Sequence, residues 1–408
     1  MDEWLKRIRE RAEKALDKKA KYGPDIDLSK YTKKEPSTAN DLLGAISEPA
    51  QRLGLTEKEV SRASYVQVDE RVWQSLIVES LKKQGVIVMS TGEALRKYPW
   101  VRDYYWRNIP VDLDKYTAAV ELYGEGKGYF VYVPPRVKVK IPVYTCLLIT
   151  SSWEAQLVHN IVIVDDEAEL NLITGCAVPH KIAGALHIGV SEFYVGRNAK
   201  LSFAMIHAWG RNVHVRPRTS VRVKEGGSYI SYYLIHSDVA SIQAYPSVTL
   251  DSNAKTHTAS IILGSSNSIY DIGSEAVLAS TGSSAEIVSR VIGRDESWIA
   301  ARSRIKALSP QTRGHIECLG LPLSKKTTII ALPELESHVE GSELTHEAAI
   351  GKIAEEEIEY LMSKGFTEEE ARALILRGFM RVEVPGLPLQ TQKLIDATIK
   401  LLSEKATG

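Results

Sequence analysis

Small turn residues recur through the middle of this chain at nearly constant spacing. The turns are Glu167-Ala168-Glu169, Asn198-Ala199-Lys200, Gly226-Gly227-Ser228, Asn253-Ala254-Lys255, Ser284-Ala285-Glu286 and Arg313-Gly314-His315. The central residue is always Ala or Gly, and successive steps are 31, 28, 27, 31 and 29 residues. Short runs of alternating polarity flank each turn, as in Ser191 to Val195 and Leu201 to Ile206. A period of this length with two or more short strands per unit predicts a parallel β-solenoid. One coil cannot bury its own inner face, so stacking the coils makes the core. A small residue suits a turn where coils approach closely. A β-sandwich with irregular hairpins is the competing architecture.

The period divides the chain into three regions. Residues 1–115 read as helical with a small α/β piece. Trp4, Leu5, Ile8, Ala12, Ala15 and Leu16 recur at helical spacing, Thr56 with Glu59 reads as a capping box, and Val86 to Met89 is β-rich. Residues 116–341 form the expected solenoid. Its strands are expected from near Tyr129, because Val133-Pro134-Pro135 cannot be helical and Val137 to Ile141 alternates. Residues 342–408 read as amphipathic helices. Ile353, Ile358, Leu361 and Met362 share a face, with Gly365 as C-cap. Thr367 with Glu370 opens a second helix striped by Ala371, Leu374 and Ile375 and closed by Gly378. A last helix carries Leu394, Ile395, Thr398, Leu401 and Leu402. Such faces pack on the solenoid or receive a partner.

Composition narrows the function classes. Lys plus Arg and Asp plus Glu both number 51, so neither nucleic acid nor an anionic membrane is expected as the main partner. No apolar run approaches the ~18 residues of a membrane span, and Met-Asp-Glu-Trp-Leu-Lys-Arg carries no apolar signal region behind it. Three cysteines are no disulfide framework, so a cytoplasmic protein with free thiols is expected. There is no Gly-x-x-x-x-Gly-Lys-Ser/Thr, so no ATP is expected on a P-loop, and the histidines lack His-Glu-x-x-His spacing.

Two places hold candidate chemistry. Cys318 lies in the last recognisable coil, and His346 and Glu347 follow the expected end of the solenoid. Thiolate, imidazole and carboxylate all bind iron, and a mixed set holds a cluster less firmly than four thiolates. One chain cannot supply four thiolates here, so a second protomer would have to complete such a site. An isolated cysteine is otherwise a buried thiol in a strand. Cys176 and His207 each fall eight residues past a turn alanine. The period then places them side by side in adjacent coils, ~4.8 Å apart. With Trp209 nearby they form either a sulfur relay, the histidine favouring the thiolate, or a core histidine on a core thiol. Cys146, in the apolar strand Tyr144 to Thr150, reads as core.

Several stretches carry a resemblance. Val133-Pro134-Pro135-Arg136-Val137, Thr174-Gly175-Cys176-Ala177-Val178-Pro179 and Tyr245-Pro246-Ser247 stand in the order they take in SufB. Leu344 to Lys352, Tyr360 to Gly365 and Ile375 to Phe379 look like the tail shared by SufB and SufD. From about residue 129 onward the chain therefore resembles the SufB/SufD family of iron–sulfur cluster assembly scaffolds. The resemblance implies a right-handed parallel β-helix between two helical regions, dimerisation through the β-helix, and one SufC-type ABC ATPase on each C-terminal helical domain. Ile358, Leu361, Met362, Leu374 and Ile375 would then bind that ATPase.

Site residues follow from the same resemblance. Cys318 falls where SufB holds the nascent cluster, a cysteine that SufD lacks. His346 and Glu347 fall in the stretch that lines the site, with Thr345 in place of its first carboxylate. Cys176 matches the cysteine that accepts sulfur, His207 stands where SufB has glutamine, and Trp209 matches a tryptophan. Arg218 is the nearest candidate for a basic residue further along. The chain resembles the minimal SufBC-type systems, in which one scaffold forms a homodimer without SufD. The expected function is a non-enzymatic scaffold that receives sulfur from a donor, builds a transient 2Fe-2S or 4Fe-4S cluster and passes it to apo iron–sulfur proteins. Two alternatives remain at this point. One is a SufD-like partner holding no cluster. The other is a β-helix carbohydrate-active enzyme using carboxylates such as Asp165, Asp166, Glu167 and Glu169.

Overall fold

The structure is a computed structural model that describes residues 3–31, 42–53, 64–75 and 79–407. The Thr56–Glu59 capping box lies outside the described residues. Two long sheets wind into a parallel β-solenoid of about 8 turns with helices toward both termini. One sheet stacks Val143–Leu148, Glu169–Ala177, Lys200–Ala208, Ser228–Ile235, Lys255–Gly264, Ser284–Gly293, Arg313–Pro322 and Glu343–Ile350 in parallel. The other includes Glu154–Val164, Ala185–Val195, Ile269–Leu278, Trp298–Ala307 and Thr328–Ser337. Their inner faces enclose one continuous core, from Val143 and Leu172 through Phe203, Tyr229 and Ile287 to Ile316 and Cys318.

One backbone position explains the period. Glu167, Asn198, Gly226, Asn253, Gly282, Gln311 and Gly341 all have positive φ, between 52° and 77°. Glycine and asparagine tolerate that left-handed conformation best. The turn is also hydrogen-bonded from coil to coil: Asn198 N–H donates to Glu225 O at 2.9 Å, and Asn253 N–H to Thr281 O at 3.0 Å. Strand pairing runs from Glu169 through Lys200, Ser228, Lys255 and Ser284 to Arg313. The equivalents of Ala254 are therefore Ser283 and Thr312, not Ala285 and Gly314. The sequence assignment slips by two residues there because small residues occupy both phases. A two-residue slip leaves every side chain on its own face.

The regions meet at places the sequence did not mark. Tyr65–Val68 pairs in parallel with Val143–Leu148, so this segment extends the solenoid sheet. The helix Lys115–Tyr123 belongs to an outer layer that also holds Glu3–Glu13 and packs on Leu186, Ile188 and Val190. The buried Glu192 carboxylate pins this layer by accepting N–H bonds from Trp106, Asn108 and Ile109. At the other end Glu343–Ile350, past residue 341, pairs with Arg313–Pro322 as a further strand of the solenoid. Helices follow at Glu355–Ser363, Glu368–Met380 and Leu389–Thr407. The Thr367–Glu370 capping box forms, Gly365 takes φ 97°, and the second helix continues through Gly378. Leu376, Met380, Ile395, Ile399 and Leu402 bury against the outer sheet face at Tyr232, Leu234, Ala259 and Ile261.

No helix of the described residues is long and apolar enough to cross a membrane. The carboxylates near Glu167 are engaged along a coil edge: Asp166 with Arg197, Glu167 with Arg136, Glu169 with Lys138, and Asp165 with the Tyr132 hydroxyl.

Candidate functional site

Strand pairing fixes what each candidate residue faces. Cys176 pairs with His207, as the eight-residue offset predicts. Cys318 pairs with Ser289 on one side and Ala348 on the other. Both cysteines belong to the inner core, at 0% and 1% exposure. They stand on the same sheet five strands apart, about 24 Å at the usual strand spacing.

Cys176 sits in a closed setting. Its thiol touches the Met205 sulfur at 3.8 Å. The His207 ring meets Trp209 edge-on at 5.2 Å, and its Nδ1 bonds the Tyr233 hydroxyl at 2.8 Å. Burial pushes the Cys176 thiol well up, and the neighbouring Cys146 adds to the shift. Burial, then His187 and His236, hold His207 well below its ordinary value. The assistance that the relay reading expects is absent: a buried neutral imidazole brings no cation to the thiol, and burial favours its protonated form. Cys146 is buried on the other face of the sheet, with Leu53 and Val66. Arg52 closes the adjacent corner, donating to the carbonyls of Val178 and Trp209. Arg218 is committed elsewhere, in a buried ion pair with Asp114 at 2.8 Å.

A row of mostly polar side chains runs from this site toward Cys318. On the inner face, pairing aligns Thr174, Met205, Tyr233, Ser260, Ser289 and Cys318 in successive coils. Ser260 and Ser289 are hydrogen-bonded at 3.0 Å, and the Ser303 hydroxyl lies 3.6 Å from the Cys318 sulfur. A cavity of about 70 Å³ opens along the row, lined by Met205, His207, Tyr233, Ser231 and Ser260 among others. Sequence reading missed this row, although the period contains it: Ser260, Ser289 and Cys318 are each 29 residues apart.

Cys318 lies one strand from the end of its sheet. Burial raises its thiol, with Ser303 and Ser289 opposing. Binding a metal would draw off the proton that burial retains. The last strand, Glu343–Ile350, is largely exposed. His346 pairs with Ile316, so it shares the inner face with Cys318, two residues out of register. Glu347 pairs with Glu317 and faces outward, where Glu317 meets Arg290. The structure therefore brings Cys318 and His346 to one face and puts Glu347 on the other. Among the described residues no three His, Cys, Asp or Glu converge on a point that could hold a metal ion.

The helical candidates also divide. Ile358 is buried, Leu361, Leu374 and Ile375 are half-buried, and Met362 is exposed beside Tyr360 and Phe366.

Comparison with known proteins agrees with this architecture. The family model described as SUF system FeS cluster assembly, SufBD core domain, matches residues 147–379. An iron–sulfur cluster assembly SufBD family protein of Methanothermobacter thermautotrophicus is 41% identical over 405 residues, covering 96% of this chain and 98% of its own. A protein of the same description in Archaeoglobus fulgidus is 44% identical over 359 residues, covering 88% and 95%. One in Pyrococcus horikoshii is 32% identical over 402 residues, covering 95% and 90%. With most of its solenoid inside the matched segment, this chain belongs to the SufBD family of iron–sulfur cluster assembly proteins.

Proposed function

We propose that the chain is a SufB-type scaffold, working in the cytoplasm, on which an iron–sulfur cluster is built as cargo and then released. The observation that carries this reading is the placement of Cys318: a buried thiol one strand from an exposed sheet end, with His346 on the same face. Two protomers joined through their open solenoid ends supply two thiolates and two imidazoles, a set able to hold a 2Fe-2S or 4Fe-4S cluster. Glu347, facing the other way, enters such a site only across the protomer boundary. The exposed terminal strand supports the homodimer, because an unpaired edge invites a second chain.

Sulfur enters at Cys176, beside His207 and Trp209, from a donor protein and moves along the hydroxyl row toward Cys318. The C-terminal helices, with Tyr360, Met362 and Phe366 exposed, receive a SufC-type ABC ATPase. ATP hydrolysis belongs to that partner, and the resulting change in dimer shape frees the cluster for apo iron–sulfur proteins. The scaffold itself is not an enzyme.

The test is anaerobic reconstitution with iron and sulfide, wild type beside Cys318→Ala, read by visible absorption and iron per dimer. A charge-transfer band that the substitution abolishes is expected. Equal iron uptake in both proteins would move the ligands away from Cys318. No cluster in either would make this a SufD-like structural partner.

A further inference from the structure

The sulfur-entry site contains an atom with nothing to bond. His207 is 1% exposed, and its Nε2 has no hydrogen-bond partner among the described residues. Its Nδ1 is engaged by the Tyr233 hydroxyl at 2.8 Å. That phenol makes no other hydrogen bond among the described residues, so its only acceptor is the imidazole. Burial holds the phenol above its ordinary titration range, so it keeps its proton. A phenol donating to Nδ1 makes that nitrogen an acceptor, and the ring proton of a neutral imidazole must then sit on Nε2.

The pairing names the strands on either side of His207. Tyr233 is on Ser228–Ile235, one neighbour of the His207 strand, and Cys176 is on Glu169–Ala177, the other. Nδ1 is turned to the first, and Cys176 on the second is the residue paired directly with His207. The Cys176 thiol falls outside hydrogen-bonding reach, since its own contact is the Met205 sulfur. A second sulfur on Cys176 extends the side chain by about 2.05 Å, one S–S bond. It also brings a negative charge, the preferred partner of a buried donor.

We propose that Tyr233 is a positioning residue for sulfur acceptance: it fixes His207 as an Nε2–H donor whose partner is the terminal sulfur of a persulfide on Cys176. The inference rests on the reading of Cys176 as the sulfur acceptor. In the step concerned, the Cys176 sulfur attacks the outer sulfur of a donor persulfide. The donor S–S bond breaks and its electron pair leaves on the donor sulfur, which takes up the Cys176 proton. One persulfide and one thiol thus give one persulfide and one thiol, with no net oxidation. The imidazole stays neutral throughout and stabilises the product anion by one hydrogen bond.

The experiment treats full-length protein with glutathione persulfide under anaerobic conditions. Mass spectrometry follows the gain of one sulfur atom on the Cys176 peptide, with Cys176→Ala as blank. Tyr233→Phe keeps the ring and removes the hydroxyl. It should shorten the persulfide lifetime about tenfold, the usual worth of a hydrogen bond to a charged group. Nitrogen NMR of labelled histidine should show His207 leaving the pure Nε2–H form. His207→Gln donates through an amide that needs no tautomer, so adding Tyr233→Phe to it should change nothing further. An equal loss from Tyr233→Phe in both backgrounds would reduce Tyr233 to packing and overturn the proposal. So would an unchanged tautomer and lifetime in the single variant. Failure of the wild type to load Cys176, with cluster still forming at Cys318, would sink the sulfur-entry reading and this inference with it.

Discussion

Cys318 and His346 project from the same face of neighbouring strands, two residues out of register. Two residues along a strand and one strand across put their Cα atoms about 8 Å apart, close enough for both side chains to reach one metal centre. Glu347, the next residue, faces the other side. The three candidates should therefore separate on substitution. Cys318→Ala should abolish cluster formation. His346→Ala should leave a cluster that forms but is lost at least about tenfold faster to a chelator, the order of one ligand's contribution. Glu347→Ala should retain cluster within about twofold of wild type. Iron retention on a desalting column, measured against chelator concentration, ranks them. Equal loss in Glu347→Ala and His346→Ala would add Glu347 to the ligands, reaching the partner's half of the site across the protomer boundary.

Much of this was legible because a solenoid repeats its constraints. Every coil needs one tight turn and one inward row, so the small residues Ala199, Gly227 and Ala254 beside the left-handed positions announced the fold, and the offset from the turns placed Cys176 beside His207. What escaped depends on phase and on contacts between rows. Ala285 looked like a turn residue because alanine suits both a tight turn and a crowded inner face. The outward aspect of Glu347 required the pairing partner of Ile316, which spacing beyond the last recognised turn did not supply. The bond from Tyr233 to His207 joins different rows of adjacent coils, and no single-row repeat reports it. The direction of the pKa shift on Cys176 stayed open between a relay thiolate and a core thiol, because sequence shows a neighbouring histidine but not the burial of both groups.

The repeated turn makes a stability prediction with its own control. Gly282 and Gly341 occupy equivalent turns at φ 76° and 77°. A Cβ on Gly282 would lie 2.2 Å from the Asn253 side-chain oxygen, whereas the nearest atom to one on Gly341 is 3.9 Å away. Gly341→Ala should cost only the left-handed penalty of about 1–2 kcal/mol. Gly282→Ala should cost that plus displacement of Asn253, about 2–4 kcal/mol in all. Denaturant unfolding of both variants decides it. Equal costs would mean that Asn253 moves aside freely.

Acid should destabilise the solenoid through its buried histidines. His187 is pushed down to about 3 by burial, with Nδ1 on the Gln156 side-chain oxygen at 2.9 Å. Its unfolded value is 6.5. Between these values the unfolded chain binds a proton that the folded chain refuses. Stability is complete above the unfolded value and falls as pH drops through the window, by up to about 1.4 kcal/mol per unit for each such group. His207, also depressed by burial, adds to the slope. Unfolding free energies at about pH 7 and about pH 5 should differ by several kcal/mol, and His187→Asn should flatten the difference. An unchanged slope in that variant would place a charged or solvent-reached imidazole at 187.

The C-terminal helices separate docking from folding within one short segment. Tyr360 and Met362 are 61% and 45% exposed, while Ile358 on the same helix is 2% exposed. Exposed large apolar groups suit a partner, and a buried isoleucine holds the helix to its neighbours. Tyr360→Ala with Met362→Glu should abolish co-purification with a SufC-type ATPase while leaving the unfolding midpoint within about 2 °C. Ile358→Ala should do the opposite first, costing the segment about 2–4 kcal/mol as a large-to-small core change, with ATPase binding lost only as the helices loosen. Pull-down beside thermal unfolding distinguishes the two. Retained binding in the double variant would send the ATPase to another face, with Leu374 and Ile375 on the next helix the first to test, since both are only half-buried.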